Sequence, residues 1–201
     1  MAIKIITPPG SEPVTLQEAK LHLRVDGDDE DTLIMGLIQA AREHVENVLT
    51  HTSLCTQTLE YVISQFPDFA LPTGKPIFLP RPPLQSVTSI IYTDIAGVPH
   101  TMSAADYVVN ADANPGIIVP AYGKTWPAAV VSPTGGIRIR YVAGWGLPAT
   151  VPQSLKQAIL LLVGHFYDNR GVMVQSALAE MPMAVTALCN SYICYQWGME
   201  D

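Results

Sequence analysis

The sequence has 201 residues, enough for one domain or two small ones, and its formal net charge is −7. Hydrophobic residues make up 48% and charged residues only 14%, which excludes a globally disordered chain, because disorder needs low hydrophobicity and high charge. Neutralising phosphates requires clustered Lys and Arg, so the acidity argues against nucleic-acid binding as the main activity.

The first 54 residues predict two helices separated by an acidic break. Residues 15–18, Thr-Leu-Gln-Glu, form a capping box, which predicts a helix from Thr15 to about Arg24. Asp26-Gly27 ends it, and the carboxylates of residues 28–31 suit the first turn of a second helix, where the helix dipole favours negative charge. Apolar residues then recur every three or four positions, which predicts an amphipathic helix to about Thr50.

From Cys55 to about Gly146 the pattern changes to short strands. Six prolines between residues 67 and 83 exclude a long helix there. Alternating apolar and polar residues predict an antiparallel β-domain of about six strands. These strands are expected at residues 56–63, 86–93, 95–100, 107–109, 117–119 and 137–142.

Helical periodicity returns at Pro152, a residue that suits the first helical turn, and continues to about Asn169. A last short helix is predicted around residues 185–192. The expected fold class is α+β. Because each helix has one apolar face that needs a partner, residues 1–54 and 150–201 should form one helical module, with residues 55–149 inserted as a β-rich domain.

Motifs for catalysis and for metal or cofactor binding were sought and not found. The acidic run at residues 26–31 lacks EF-hand spacing, His44 and His51 lie seven residues apart, and Cys189 with Cys194 does not match a zinc site. No nucleophile elbow or glycine-rich phosphate loop occurs. We therefore predict no catalytic, cofactor-binding or metal-binding residue and no enzyme activity. A small enzyme or ligand-binding domain built from dispersed residues stays open as an alternative.

The cysteines and the hydropathy give an expectation about location. Three cysteines cannot all pair within one chain, so free thiols in a reducing compartment are expected. Residues 1–6 are too short for a signal peptide, and no apolar run approaches the roughly 20 residues that span a bilayer. A soluble intracellular protein is the expectation.

Four blocks of the sequence, at residues 13–67, 77–94, 141–146 and 151–170, resemble the head–tail connector (adaptor, or head-completion) family of long-tailed bacteriophages and prophages. The acidic break VDGDDED between two helices, followed by the strand that begins Q-T-x-E, is the most specific part. Two features depart from the family. Tyr192 is followed by Ile193 where Arg is common, and residues 171–179 carry little charge.

The resemblance implies a structural virion protein that acts in head completion after DNA packaging. Such subunits form a homo-oligomeric ring, usually twelve-fold, that docks under the portal protein, extends the DNA channel and offers a platform to a stopper or tail-completion protein. The chain would then lie in the virion neck and in the host cytoplasm during assembly, with DNA only as passing cargo and with no membrane partner. Another tail-completion or DNA-packaging accessory protein is the alternative.

The C-terminal segment, residues 172–201, is the candidate docking arm for the portal or a neighbouring subunit. It combines flexible methionines with aromatic residues and has no Lys or Arg, a composition typical of surfaces that repack on a partner. The alternative is that it covers the helical core of its own subunit. The candidate docking residues are Met181, Met183, Leu188, Tyr192, Tyr195 and Trp197.

Overall fold

The chain divides into two units, each with its own core. The computed structural model describes residues 2–67, 75–127, 136–169 and 183–194. The helical unit consists of residues 10–55 and 145–193, and the sheet unit consists of residues 1–9, 56–144 and 194–201. Helices and antiparallel sheets are both present, so the predicted α+β class is confirmed.

The first helix of the helical unit, α1 (Leu16–Leu23), begins at the predicted capping box. The Thr15 N–H donates to Glu18 Oε2 at 2.7 Å, and the Glu18 N–H donates to Thr15 Oγ1 at 3.2 Å. The helix ends at Arg24, whose φ of 59° is left-handed. The capping box satisfies backbone N–H groups at the start of this eight-residue helix, and the Arg24 N–H donates to backbone carbonyls at its end.

The second helix, α2 (Asp31–His44), begins slightly later than predicted and continues as a π-helical turn at Val45–Leu49. The third, α3 (Gln153–Asp168), is preceded by Pro152 as predicted. The fourth, α4 (Met183–Cys189), leads into a 3-10 turn at Asn190–Tyr192.

The apolar faces of the four helices meet in one core, although about 100 residues separate α2 from α3. This is the packing that the apolar stripes of α1, α2 and α3 predict. The buried side chains that α2, α3 and α4 contribute to this core include Ile34, Ile38, Ala41, Leu155, Ala158, Ile159, Leu162 and Val185.

A buried ion network crosses the helical unit beside this core. Arg42 donates to Glu46 and to Glu12, both at 2.8 Å, and the Leu54 N–H donates to Glu46 at 2.7 Å. Arg42 is 5% exposed and Glu46 1%. Burial opposes the charge of Arg42, but the two carboxylates outweigh that effect and raise its pKa. The network connects α2 to Glu12, which precedes α1, and to Leu54, which follows the π-helical turn.

The larger sheet of the sheet unit has five antiparallel strands in the order β1-β2-β8-β4-β5. Its strands are β1 (Ala2–Thr7), β2 (Gln57–Ile63), β4 (Leu84–Thr93), β5 (Pro99–Thr101) and β8 (Ile137–Ala143). The hairpin of β4 and β5 turns at Asp94 and Gly97, so β5 begins four residues later than the strand predicted at residues 95–100.

A second, three-stranded sheet has the order β3-β7-β6, with β3 (Ile77–Leu79), β6 (Tyr107–Asn110) and β7 (Gly116–Pro120). Both sheets contribute to one core, which contains Leu59, Tyr141 and Ile118 among its most buried side chains. Strand β3 was not predicted because it lies among prolines. It occupies the edge of its sheet, where proline is tolerated.

The expected domain boundaries differ from this division at the N-terminus. The sequence analysis placed residues 1–54 with the helices, whereas residues 2–7 form β1 and pair with β2. Ile3 packs against the core of the sheet unit because its partner across the strands is the buried Tyr61. Strand β1 could not be predicted from its neighbours in the sequence, because the strand that pairs with it lies more than 50 residues further along the chain.

Candidate assembly surfaces

The outer face of the five-stranded sheet, the face directed away from the sheet core, carries the main cluster of basic side chains in the sheet unit. Pairing across the strands sets Lys4, Glu60, Arg140 and Ser89 in one row. The next row holds Ala2, Val62, Arg138 and Ile91. Their neighbours along each strand, such as Leu59, Tyr61 and Ile139, point to the core, as the twofold side-chain period of a strand requires.

Three cations on this outer face surround one carboxylate. Lys4, Arg138 and Arg140 are exposed, whereas Glu60 is 8% exposed. Arg140 pairs with Glu60 at 3.1 Å. The outer face therefore keeps an excess of positive charge, with the half-buried aliphatic side chains of Val62 and Ile91 between the charges.

The second candidate surface is the acidic segment, residues 26–31, which joins α1 to α2. Lys20 Nζ lies 2.7 Å from carboxylate oxygens of both Asp28 and Asp31. The hydrogen bond from Lys20 lowers the pKa of Asp28. The hydrogen bonds that Lys20 donates to Asp28 and Asp31 raise the pKa of Lys20. Asp26 and Asp29 are exposed and have no salt bridge to any described residue. One lysine thus neutralises only part of the acidic segment.

Charge is divided unequally between the two units. Residues 10–55 and 145–193 contain eleven acidic and five basic residues, a net −6 with His neutral. Residues 1–9, 56–144 and 194–201 contain seven acidic and six basic residues, a net −1. Most of the net negative charge of the chain therefore belongs to the helical unit.

The structure describes three of the six candidate docking residues in the C-terminal segment. Met183 is 88% exposed at the start of α4. Leu188 and Tyr192 pack against the helical core, and the ring of Tyr192 meets Trp145 edge-on at 6.0 Å between centroids. Val185 and Cys189, between them on α4, are buried.

The other three candidates, Met181, Tyr195 and Trp197, lie outside the described residues. Within residues 183–194, the inner face of α4 covers the helical core of its own subunit, which is the alternative that the sequence left open. The structure therefore leaves Met183 as the exposed docking candidate among the described ones.

Large apolar side chains are also exposed in both units. In the helical unit Leu21 is 82% exposed and Leu147 73%. In the sheet unit Ile95 is 73% exposed, and Tyr122 is fully exposed. Such side chains are common singly on protein surfaces, so they carry less weight than the two charged surfaces.

The cysteines offer no reactive thiol. Cys55, Cys189 and Cys194 are buried and form no disulfide. Burial raises the pKa of the Cys55 and Cys189 thiols to about 11, and it raises the pKa of Cys194. A nucleophilic cysteine needs a lowered pKa, so none of these three has that property.

The described residues contain no group of three or more His, Cys, Asp or Glu side chains arranged to hold a metal ion. Within the same residues, no helix combines the length and the hydropathy that crossing a bilayer requires.

Comparison with known proteins bears on the same segments. The family model "Phage gp6-like head-tail connector protein" matches residues 13–96, which contain α1, α2 and the strands β2, β3 and β4. No curated protein matches the chain.

Solved structures extend the likeness to nearly the whole chain. A chain in a structure titled "Neck of empty GTA particle computed with C6 symmetry" is 25% identical, with a TM-score of 0.77, over 98% of this chain and 97% of that one. A chain of the "Virion of native gene transfer agent (GTA) particle" gives a TM-score of 0.76 at the same identity and coverage. One in the "Neck of native GTA particle computed with C12 symmetry" gives 0.71, again at 25% identity and the same coverage.

These matches confirm the class of protein that the sequence indicated, a structural component of phage-like particles. The family match over residues 13–96 and the likeness of the whole fold to neck proteins support a structural connector role for this chain.

The sequence analysis missed the outer face as a candidate surface. Arg138 and Arg140 alternate with isoleucines in the sequence, but two charges on one face do not distinguish this strand from other strands. Lys4 and Glu60 join them only through the register of β1, β2 and β8. Predicting a strand at residues 2–7 would have been the first step towards recognising this surface.

Proposed function

We propose that this chain is the subunit of a closed ring of twelve copies that docks under the portal protein and extends the DNA channel. The observation that carries the proposal is the likeness, over 98% of the chain, to proteins in the necks of phage-like particles. Those necks are described with C6 and C12 symmetry. A ring of twelve subunits is compatible with both symmetries.

Copies that meet head to tail through two different surfaces form a closed ring when the rotation between neighbours closes on itself. The chain offers two surfaces of opposite charge, the outer face of the sheet unit and the acidic segment of the helical unit. A two-fold dimer would instead require both surfaces to lie in one self-complementary patch, in which the basic face of each copy meets the acidic segment of the other.

The acidity of the helical unit supports the channel role. A wall with excess negative charge repels DNA phosphates and lets the duplex slide. We accordingly infer that DNA is cargo, bound no better than in the non-specific range of about 10⁻⁴–10⁻⁶ M at physiological salt. In this proposal the chain has no catalytic step, and the high pKa of its buried thiols is consistent with that.

We place portal docking on the C-terminal segment, with Met183 and the aromatic residues Tyr195 and Trp197 as its anchors. Met183 is exposed, while Val185 and Cys189 hold α4 to the helical core. A truncation after Cys194 therefore tests docking better than one after Arg170, because it leaves those buried side chains in place.

The proposal is tested by deleting the gene from the phage or prophage and imaging the products. We expect DNA-filled heads without tails, assembled in the host cytoplasm, and recovery of tailed particles when the full chain is supplied. The chain truncated after Cys194 should fold yet fail to restore tails. Heads that join tails normally without the chain would contradict the connector role, and heads that never fill would favour a packaging accessory protein.

A further inference from the structure

The outer face of the five-stranded sheet is a mixed surface. Lys4, Arg138 and Arg140 supply three exposed cations against the single carboxylate of Glu60. Half-buried Val62 and Ile91 lie beside Arg138 in its row. Exposed arginines over aliphatic side chains are typical of protein interfaces, in which Arg is enriched.

The complementary surface lies on the same chain, in the other unit. The acidic segment at residues 26–31 contains five carboxylates, and Lys20 pairs with only two of them, Asp28 and Asp31. Although Asp28 pairs with Lys20, its side chain is 90% exposed. The segment is therefore a negatively charged surface that a basic surface would attract.

We propose that the outer face of the sheet docks onto the acidic segment of a second copy of this chain. The proposal rests on the ring function proposed above and names the two surfaces through which neighbouring subunits meet. Opposite charges fix the order of contact, because sheet-to-sheet and segment-to-segment contacts would place like charges together. Each copy then uses both surfaces, as a head-to-tail ring requires.

DNA is a weaker fit to the same face. Glu60 sits between Lys4 and Arg140 in the central row, so a phosphate backbone would meet a carboxylate among the cations. The half-buried side chains of Val62 and Ile91 are aliphatic, so they donate no hydrogen bond to a phosphate. A surface that tracks nucleic acid needs a continuous basic stripe.

The experiment uses two charge-reversed variants of the full chain. Lys4→Glu with Arg138→Glu makes the outer face acidic but keeps Arg140, the partner of Glu60. Asp26→Lys with Asp29→Lys makes the acidic segment basic. Self-association is measured by sedimentation at high protein concentration in about 50 mM salt and again in about 500 mM salt, where charges are screened.

Each variant alone should lose at least about tenfold in association constant, because like charges then face each other. An equimolar mixture should recover association, since the acidic segment of one variant meets the native basic face of the other. The mixture also pairs the two reversed surfaces, and alternation of two variants fits a ring with an even number of subunits. High salt should reduce the association of the wild type.

Matched controls carry the same changes in net charge elsewhere. Lys75→Glu with Lys124→Glu alters exposed lysines of the sheet unit, and Asp112→Lys with Asp168→Lys alters exposed carboxylates. Both controls should associate within about twofold of the wild type. Circular dichroism and thermal unfolding should show that all four variants fold.

Variants that associate like the wild type, or a mixture that stays dissociated, would overturn the proposal. So would a wild type that remains monomeric at low salt. The gene deletion judges the connector function separately, because tails could be lost while these surfaces prove irrelevant. If the wild type binds duplex DNA below about 1 µM and Lys4→Glu with Arg138→Glu abolishes it, the face is a phosphate surface instead.

Discussion

The helical unit and the sheet unit handle their charged residues in opposite ways. The helical unit buries an ion network, in which Arg42 pairs with Glu46 and Glu12, and keeps most of the acidity of the chain on its surface. Among the described residues, the sheet unit buries mostly apolar side chains, with Gln57 and Glu60 as polar exceptions, and sets three cations on one exposed face. The helical unit therefore has a paired charge network inside it, whereas the three cations of the sheet unit lie at the surface.

The comparison also separates local from distant contacts. The core of the helical unit joins residues 14–55 to residues 151–189, so it forms only when both ends of the chain are present. In the sheet unit, β2 and β8 pair through seven consecutive residues, and β1 adds the N-terminal segment at one edge. Damage at either chain end should thus affect the helical core more than the centre of the sheet.

The largest expected effect is the loss of Glu46. Glu46→Ala leaves Arg42 buried with a reduced counter-charge and removes the acceptor of the Leu54 N–H, so the free energy of unfolding should fall by about 3–5 kcal/mol. Denaturant unfolding measures this. The control is Glu43→Ala on the same helix, where the exposed carboxylate lies 3.5 Å from Arg42 and should contribute below about 0.5 kcal/mol. Equal effects would contradict a special role for the buried network.

The separation of the two cores is tested by one isoleucine in each. Ile159→Ala in the helical core and Ile139→Ala in the sheet core should each cost about 2–5 kcal/mol, because both side chains are fully buried. Hydrogen exchange should lose protection mainly in the helices for the first and mainly in the strands for the second. Equal loss of protection throughout the chain for both variants would show a single cooperative unit.

A smaller effect is expected at the capping box. Thr15→Ala should cost about 1 kcal/mol, whereas Gln17→Ala, an exposed position on the same helix, should cost little. The backbone hydrogen bond from Thr15 lowers the pKa of Glu18. The stabilisation by Glu18 is therefore present above its ordinary pKa of 4.5 and is lost as the pH falls below that value. Unfolding curves at neutral and acidic pH would show whether Thr15→Ala removes this dependence.

The smallest effect concerns the thiols. The raised pKa of Cys55 and Cys189, about 11, keeps them protonated in the folded chain. Their contribution to stability is complete below the ordinary thiol pKa of 9.0 and is lost as the pH rises from 9 towards 11. A thiol reagent at pH 8 should react slowly with the folded protein and fast after denaturation. Fast reaction of the folded protein would show that these thiols are accessible.

The predictable parts of the fold were those whose signals are local. The capping box at Thr15, the proline before α3 and the turn at Asp94 each depend on residues within a few positions, and the structure contains all three. Strand β1 depends on pairing with β2, more than 50 residues away, and was missed for that reason.

The candidate surfaces follow the same rule. The acidic segment is visible in the sequence because its carboxylates are consecutive. The pairing of Arg42 with Glu46 has the four-residue spacing of a helix, but the contact with Glu12 arises only from packing. The outer face requires the register of three strands, and its ion pair joins Glu60 to Arg140, which are 80 residues apart.

The connector account is tested most directly by electron microscopy of the full chain mixed with the portal protein of the same phage or prophage. The account predicts a single ring with twelve-fold symmetry stacked on one end of the portal, with the DNA channel continuous through both. A portal that stays bare while the chain remains a monomer or closes into a two-fold dimer would contradict it.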